Sequence, residues 1–421
     1  MKLFCSNKNR ERMWGARLAS GIAAALLLTA FPAFASETWP QDEVTRNFDK
    51  TLTLGAGQSV RVEHKFGEVK VHGESGREVK ISAVIRAQAS SHEEAESFAQ
   101  KIQIEVQQTS EGISIRTIYP PEENKWFHIS KHSSWSVSYD IAVPTDTPLN
   151  IRNSFGSVNI ARVHGAVEVE NGYGSLTVQE VGAVRLNNSF GSIELTGAAG
   201  NAVVNNKNSS VLVSDVKGTL DVQDRFGSVT VRSVQGSATI TGGNGAITLD
   251  GAASANITTS FGAVDTRNVH GDLSVRDNNG NIDVTAIGGS LDVSDSFGNV
   301  TFTDVKGRVN CTTNNGRVKA NSLTGTSAII RDSFGNIEME NLNGSLDAET
   351  SNGKITVRDI RGAVTLKSSF GAIEATNIPK GIRAITGNGA ITLTDIGADA
   401  YAKTSFGSIV AERINGNFTA E

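Results

Sequence analysis

The dipeptide Phe-Gly recurs at Phe155, Phe190, Phe226, Phe261, Phe297, Phe334, Phe370 and Phe406, at intervals of 35 to 37 residues. Midway between these lies a second marker: Tyr173-Gly174, Asn208-Ser209, Asn244-Gly245, Asn279-Gly280, Asn315-Gly316, Asn352-Gly353 and Asn388-Gly389. The structural period is therefore about 18 residues, with two kinds of marker alternating in a 36-residue double repeat. Counted from Phe297, apolar residues fall at +3 (Val300), +5 (Phe302), +8 (Val305), +12 (Val309) and +14 (Cys311), with Gly307 at +10. The unit at Phe226 repeats the order with Val229, Val231, Val234, Gly236, Ala238 and Ile240. Alternating triplets separated by glycine turns are short strands with one buried and one exposed face. No such unit buries its apolar face alone. A fixed period of this length therefore predicts an all-β chain, a parallel β-helix or β-solenoid whose coils stack and share one core.

Eighteen residues, rather than 36, make one coil. A 36-residue coil would set Glu338 directly against Glu374, whereas 18-residue coils place Thr356 between them; the same choice makes neighbours of Asp265 and Asp283. About fifteen coils at a strand spacing of about 4.8 Å predict a rod of order 70 Å. The residues before each marker are Asn, Ser, Thr or Asp, as in Asn153-Ser154, Asn188-Ser189, Thr259-Ser260, Asp295-Ser296, Asp332-Ser333 and Thr313-Asn314. Such side chains satisfy turn backbone and align in ladders along a stack. A calcium nonapeptide is matched only faintly, by Gly242-Gly243-Asn244-Gly245, which lacks the Asp and does not recur.

Composition agrees with a thin core. Of 421 residues, 38% are hydrophobic and 6% aromatic, with 43 glycines and only 7 prolines, which excludes a single large globular core and a disordered or collagen-like chain. The net charge of −5 argues against a nucleic-acid partner, which would require a basic stripe.

Residues 1–35 read as a signal peptide. Lys2, Lys8, Arg10, Arg12 and Arg17 precede an apolar run from Gly21 to Phe31, and Ala33-Phe34-Ala35 supplies small residues for cleavage before Ser36. Export to the periplasm, outer cell surface or medium is the expectation. Its removal leaves 34 basic against 43 acidic residues, a net charge of −9. Cys5 leaves with it, so Cys311 is expected alone, buried and inert, with no disulfide and no lipoprotein anchor.

Residues 36–150 read as an α+β capping region ahead of the repeat domain at 151–421. Val60 to Val71 is strand-like, and Lys65-Phe66-Gly67-Glu68-Val69-Lys70-Val71 matches the repeat grammar. Ser91-His92-Glu93-Glu94 is a capping box opening a helix with Ala95, Phe98, Ala99 and Ile102 on one face. Gln103–Val106 and Ile113–Ile118 form a hairpin, and Val137, Tyr139, Ile141 and Val143 alternate in a further strand ending at Pro144. Such a region covers the first open edge of a solenoid. At the other end Phe418 takes the inward +12 position near Glu421, and an uncapped last coil is expected to offer a self-association surface there.

The order of elements resembles the LiaG-like putative adhesin family of exported bacterial proteins. The resemblance is carried by Phe66-Gly67-Glu68-Val69-Lys70-Val71-His72-Gly73, by Val137-Ser138-Tyr139-Asp140-Ile141-Ala142-Val143-Pro144 leading to Leu149-Asn150-Ile151, and by the long run of Gly-x-Val/Ile-x-Val units. It implies a β-solenoid at or outside the cell envelope and brings no catalytic residues with it. The regular Phe column departs from the family's Asn-Gly pattern.

Candidate sites are few. Outward positions +6 and +7 mix signs (Arg162, Glu180, Asp215, Arg232, Arg267, Asp304, Glu340, Arg358, Glu412), as on a solvated surface. Ser351-Asn352-Gly353-Lys354 and Ser214-Asp215-Val216-Lys217 match Ser-x-x-Lys by composition alone, and His72, His164 and His270 sit singly before turn glycines. The exception is Trp126-Phe127-His128-Ile129-Ser130-Lys131-His132-Ser133-Ser134-Trp135, where Trp126, His128, His132 and Trp135 form a candidate ligand contact. The His spacing fits a helix, but no Asp, Glu or Cys completes a metal set, so neither metal nor cofactor is expected. The reading is an exported, non-enzymatic solenoid acting as a structural or binding element of the bacterial envelope, toward a protein or glycan. The alternative is a carbohydrate-active enzyme or polysaccharide-binding protein using a groove on the rod.

Overall fold

The structure, a computed structural model, describes residues 42–120 and 133–421. The first elements are β1 (Asp42–Thr53), β2 (Ser59–Glu63), β3 (Val69–Glu74), β4 (Glu78–Ala89), α1 (His92–Lys101), β5 (Gln103–Gln108), β6 (Gly112–Ile118), β7 (Ser134–Pro144), β8 (Leu149–Phe155) and β9 (Val158–Val163). From β8 to the last strand, Phe418–Ala420, the chain is a parallel β-solenoid of two strands per coil and about fifteen coils.

Strand pairing fixes the coil length. Val167 pairs with Val184, Val184 with Ala202, and Val309 with Ala328, steps of 17 to 19 residues. Glu338 lies against Thr356 and Thr356 against Glu374, as an 18-residue coil requires, and Asp265 does neighbour Asp283. One sheet is built by the strands following each marker and the other by the strands preceding the next.

The inward columns are those of the sequence pattern: Val300, Phe302, Val305, Val309 and Cys311 are all buried. They belong to one continuous core running from Leu54 to Ala402. The strict alternation of a strand would send +7 inward and +8 outward. Instead the +7 residue adopts a left-handed conformation, with φ of 57° at Arg162, 58° at Asp215, 60° at Ala286 and 54° at Arg413. This single αL residue turns the corner, exposes +6 and +7 together and returns +8 to the core. Asp, Asn and Gly supply most of these positions, the residue types that reach αL at least cost.

At the amino-terminal end the order in space differs from the order in the chain. β2 lies between β6 and β8, and β3 between β7 and β9, all parallel. The coil carrying Phe66 is thus inserted between a coil formed by β6 with β7 and the coil of Phe155. β5 pairs antiparallel outside β6, and β4 then β1 pair antiparallel outside β7. Ser91 caps α1 by accepting from the Glu94 amide at 3.3 Å, and Ala95 and Ala99 are its buried residues. Among the described residues no helix is long and apolar enough to cross a membrane.

Candidate functional site

The marker residues of successive coils fall in one column along a corner of the solenoid. Phe66 bridges to Phe155, Phe155 pairs with Tyr173 and Tyr173 with Phe190; further on Asn208 meets Phe226, Phe226 meets Asn244, and Asn244 meets Phe261. The residue after each marker, glycine everywhere but at Ser209, pins the corner: Gly156 N–H donates to the Tyr173 carbonyl at 2.7 Å, and Gly174 N–H to that of Phe190 at 2.8 Å. Gly156 has φ of +134°, and a Cβ there would stand 2.0 Å from the Gly67 carbonyl oxygen, so this position excludes a side chain; Ser209, at φ of 95°, is the one side chain at an equivalent corner.

Two chemistries divide this column. At the amino-terminal end rings follow one another without interruption: Phe66 on Phe155 at 5.3 Å and 14°, Phe155 on Tyr173 at 4.9 Å and 5°, Tyr173 on Phe190 at 4.6 Å and 2°. Tyr119 precedes Phe66 and meets it edge-on at 5.3 Å. From Asn208 onward Asn and Phe alternate to Phe406. The stacked rings Phe155, Tyr173 and Phe190 are 42 to 47% exposed, whereas Phe226, Phe261, Phe297, Phe334 and Phe370 are 49 to 62% exposed, because a short Asn now separates them. Among the described residues these are most of the exposed large apolar side chains, and they form one line.

Two residues before the markers runs a buried polar ladder, interrupted at Gly242. Asn153 donates to the Gly156 carbonyl at 3.0 Å and to Asn171 Oδ1 at 3.1 Å; Asn171 donates to Gly174 and Asn188 likewise. Asp replaces Asn at 224, 277, 295 and 332. Asp277 and Asp332 each accept from the next residue's amide at 2.8 Å. Burial pushes the Asp224 and Asp295 carboxyls up to about 6, and raises those of Asp277 and Asp332. Thr350, Ser368, Thr386 and Thr404 continue the ladder, each bridging its own turn to the preceding coil's glycine carbonyl at 3.0 to 3.2 Å. At the other end His64 occupies the ladder position. Its Nδ1 is 3.0 Å from Thr117 Oγ1, which bonds the Tyr139 hydroxyl at 2.5 Å, and burial lowers the imidazole to about 4.

Beside the stacked rings, ladder and surface side chains line a groove of about 490 Å³, among them Asn153, Asn171, Asn187, Asn188, Asn205 and Ser189. Its wall is mostly amide and hydroxyl, with His64, Lys207 and an Arg152–Glu170 ion pair at 3.1 Å also lining it. Such a surface donates and accepts hydrogen bonds, with the Lys207 ammonium at its edge.

Of the residues singled out in the sequence, Trp126, His128 and His132 lie outside the described residues. Trp135 is half-buried, stacked on Phe98 at 5.8 Å and edge-on to Phe66 at 6.5 Å, where it joins α1 to the first coils. His72 lies 3.3 Å from both Glu74 and Asp140, and His270 meets the Ala252 carbonyl at 3.2 Å. Cys311 is fully buried, and desolvation raises its thiol far above the ordinary value. Among the described residues no group of three or more His, Cys, Asp or Glu is placed to hold a metal ion. Sequence reasoning did not place Tyr119 and His64 in the column and ladder, because their coils are out of chain order; the Phe66-Gly67 match was the available signal.

No curated protein matches the chain. Among solved structures, a putative cell adhesion protein from Clostridium sporogenes is similar at 10% identity and a TM-score of 0.25, covering 53% of this chain and 99% of its own. A putative adhesin from Bacteroides fragilis is similar at 13% identity and a TM-score of 0.15, covering 90% and 97%. A putative lipid binding protein from Parabacteroides distasonis is similar at 12% identity and a TM-score of 0.16, again covering 90% and 97%. Residues 264–405 match the family model Toastrack DUF4097, within the run of glycine-punctuated units on which the LiaG-like resemblance rests, so this stretch of the solenoid is similar to Toastrack domains.

Proposed function

We propose that the chain is an exported, non-enzymatic β-solenoid that serves as an adhesin-like structural or binding element of the bacterial envelope, its partner an envelope protein or glycan. The observation that carries this is the corner column: exposed rings held in one line along the solenoid by the backbone itself, a feature suited to contact along an edge rather than to chemistry at a point. The signal-like residues 1–35 support export. Fractionation of cells followed by pull-down from envelope extracts tests the reading; recovery only from the cytosol, or cleavage of any substrate in a broad polysaccharide screen, overturns it.

Polysaccharide binding is a second reading, favoured by the amide-lined groove beside Phe155, Tyr173 and Phe190. Retention on immobilised polysaccharides that is lost in Asn187→Ala/Asn205→Ala supports it. Self-association through the last strand near Phe418, which is exposed, is a separate proposal, tested by light scattering of Phe418→Lys against the parent chain.

A further inference from the structure

We infer that the alternating part of the corner column, Asn208 to Phe406, is an interface that pairs with the same segment of a second copy of this chain, the rings of each copy entering the gaps above the asparagines of the other. The stacked segment supplies the measure. Rings on adjacent coils lie 4.6 and 4.9 Å apart and nearly parallel, so the coil spacing is itself an aromatic stacking distance. Where Asn replaces every second ring, successive Phe residues stand two coils apart, about 9.6 Å. One further ring placed between them would lie at that same stacking distance from both.

The segment is self-complementary. A two-fold axis perpendicular to the column sets Phe226 against Asn388 of the second copy, Phe261 against Asn352, Phe297 against Asn315, Phe334 against Asn279, Phe370 against Asn244 and Phe406 against Asn208. Every ring of the segment then meets an asparagine, with none left over.

The flanks of the column permit close approach. From Phe155 onward the residues one before and two after each marker are Ser, Asn, Ala or Gly, with Lys207, Arg225, Arg317 and Lys354 as the only charges and no carboxylate. In the two-fold register Lys207 faces Ser405 and Ser408, Arg225 faces Gly387 and Ala390, and Lys354 faces Ser260 and Ala263. Arg317, nearest the axis, is already paired with Glu338 at 3.5 Å.

The area suffices as well. A Phe side chain buries about 150–250 Å², and these rings are about half exposed, so twelve of them hide on the order of 1,200 Å², the lower bound of a stable protein interface.

The experiment is analytical ultracentrifugation of the purified chain and three variants, with circular dichroism and thermal melts to confirm folding. The chain is expected to dimerise reversibly. Phe297→Ser/Phe334→Ser removes rings at the centre and should weaken dimerisation at least about tenfold. Asn279→Phe/Asn315→Phe fills gaps; it folds, since Tyr173 already sits between Phe155 and Phe190 in that way, and it should weaken dimerisation as much although it adds apolar surface. Phe418→Lys should leave it unchanged. A monomer at all concentrations overturns the inference. So does a gap-filled variant that associates as well as or better than the parent, which would mark unspecific apolar contact, and so does loss confined to Phe418→Lys.

Discussion

Phe66 and Phe155 stack face to face at 5.3 Å although two sheets' worth of chain, β3 to β7, separates them in sequence. Their coils are adjacent because the chain lays down the Phe66 coil first, leaves to build the end cover with α1, returns through β6 and β7 on its far side, and only then continues from β8 on its near side. The first repeat therefore has both neighbours in place only after residue 163.

Gly156→Ala tests how tightly that junction is closed. The added methyl meets the Gly67 carbonyl at 2.0 Å, and its carbon must take φ of +134°. Backbone has to move, and a loss of at least about 3 kcal/mol is expected, read as a fall in the denaturant midpoint. An unchanged midpoint would show that the coils slide apart freely.

Ala286→Gly should do the opposite. Ala286 is the one alanine at the αL corner, at φ of 60°, where a methyl is disfavoured and Gly197 and Gly251 serve elsewhere in the column. A gain of about 0.5–1 kcal/mol is expected from relief of this strain, net of glycine's greater freedom in the unfolded chain. Thermal melts of the single variant decide it.

Stability should depend on pH in opposite directions at the first coil of the ladder and at its middle coils. Asp224 and Asp295 have folded values of about 6, above those of the unfolded chain, so the folded state holds the extra protons and stability falls as pH rises from about 4 to about 6. Allowing for water at this corner, about 1 kcal/mol per carboxyl is expected, and Asp224→Asn, which can donate to the turn as Asn206 does at 2.7 Å, should remove its share. His64 is lowered to about 4, so the unfolded chain binds its proton first and the first coils lose stability as pH falls from about 6.5 to about 4. Hydrogen exchange read separately over residues 59–155 and 220–300 at pH 4.5 and 7 should show the two trends crossing; parallel trends would refute this assignment.

Cys311 should be unreactive. Its thiol is fully buried and its ionisation opposed first by desolvation and then by Asp332, Asp295 and Asp292. Thiol reagents should label it only in denaturant, at a rate set by unfolding. Cys311→Ser should cost about 1–3 kcal/mol by placing a hydroxyl among apolar neighbours.

The fold of the repeat domain was legible because every inward position repeats: Val300, Phe302 and Val305 announce one strand and Val309 and Cys311 the next. The corner at +7 was less so, since Arg162, Glu180 and Asp304 share no residue type; what repeats there is a backbone angle, reachable by several side chains. The spatial order of the first coils was not legible at all. Nothing in Phe66-Gly67 says that Tyr119 rather than Phe155 lies on its other side, because that depends on where strands 134–144 return. The candidate contact around Trp126 drew notice through rare residue types, whereas the column drew little as a site because its Phe residues read as structural punctuation until the register placed them in line and exposed.

Alternation also constrains how such a chain can change in length. Each coil touches only the coils on either side, so a whole number of coils can be gained or lost without disturbing the rest. Loss of a single 18-residue coil would bring two like markers together and put every later ring out of phase with the earlier ones. Loss or gain of 36 residues keeps the phase. The heritable unit of this protein is thus the pair of coils, and related chains are expected to differ in length by steps of about 36 residues through the segment from Asn208 to Phe406.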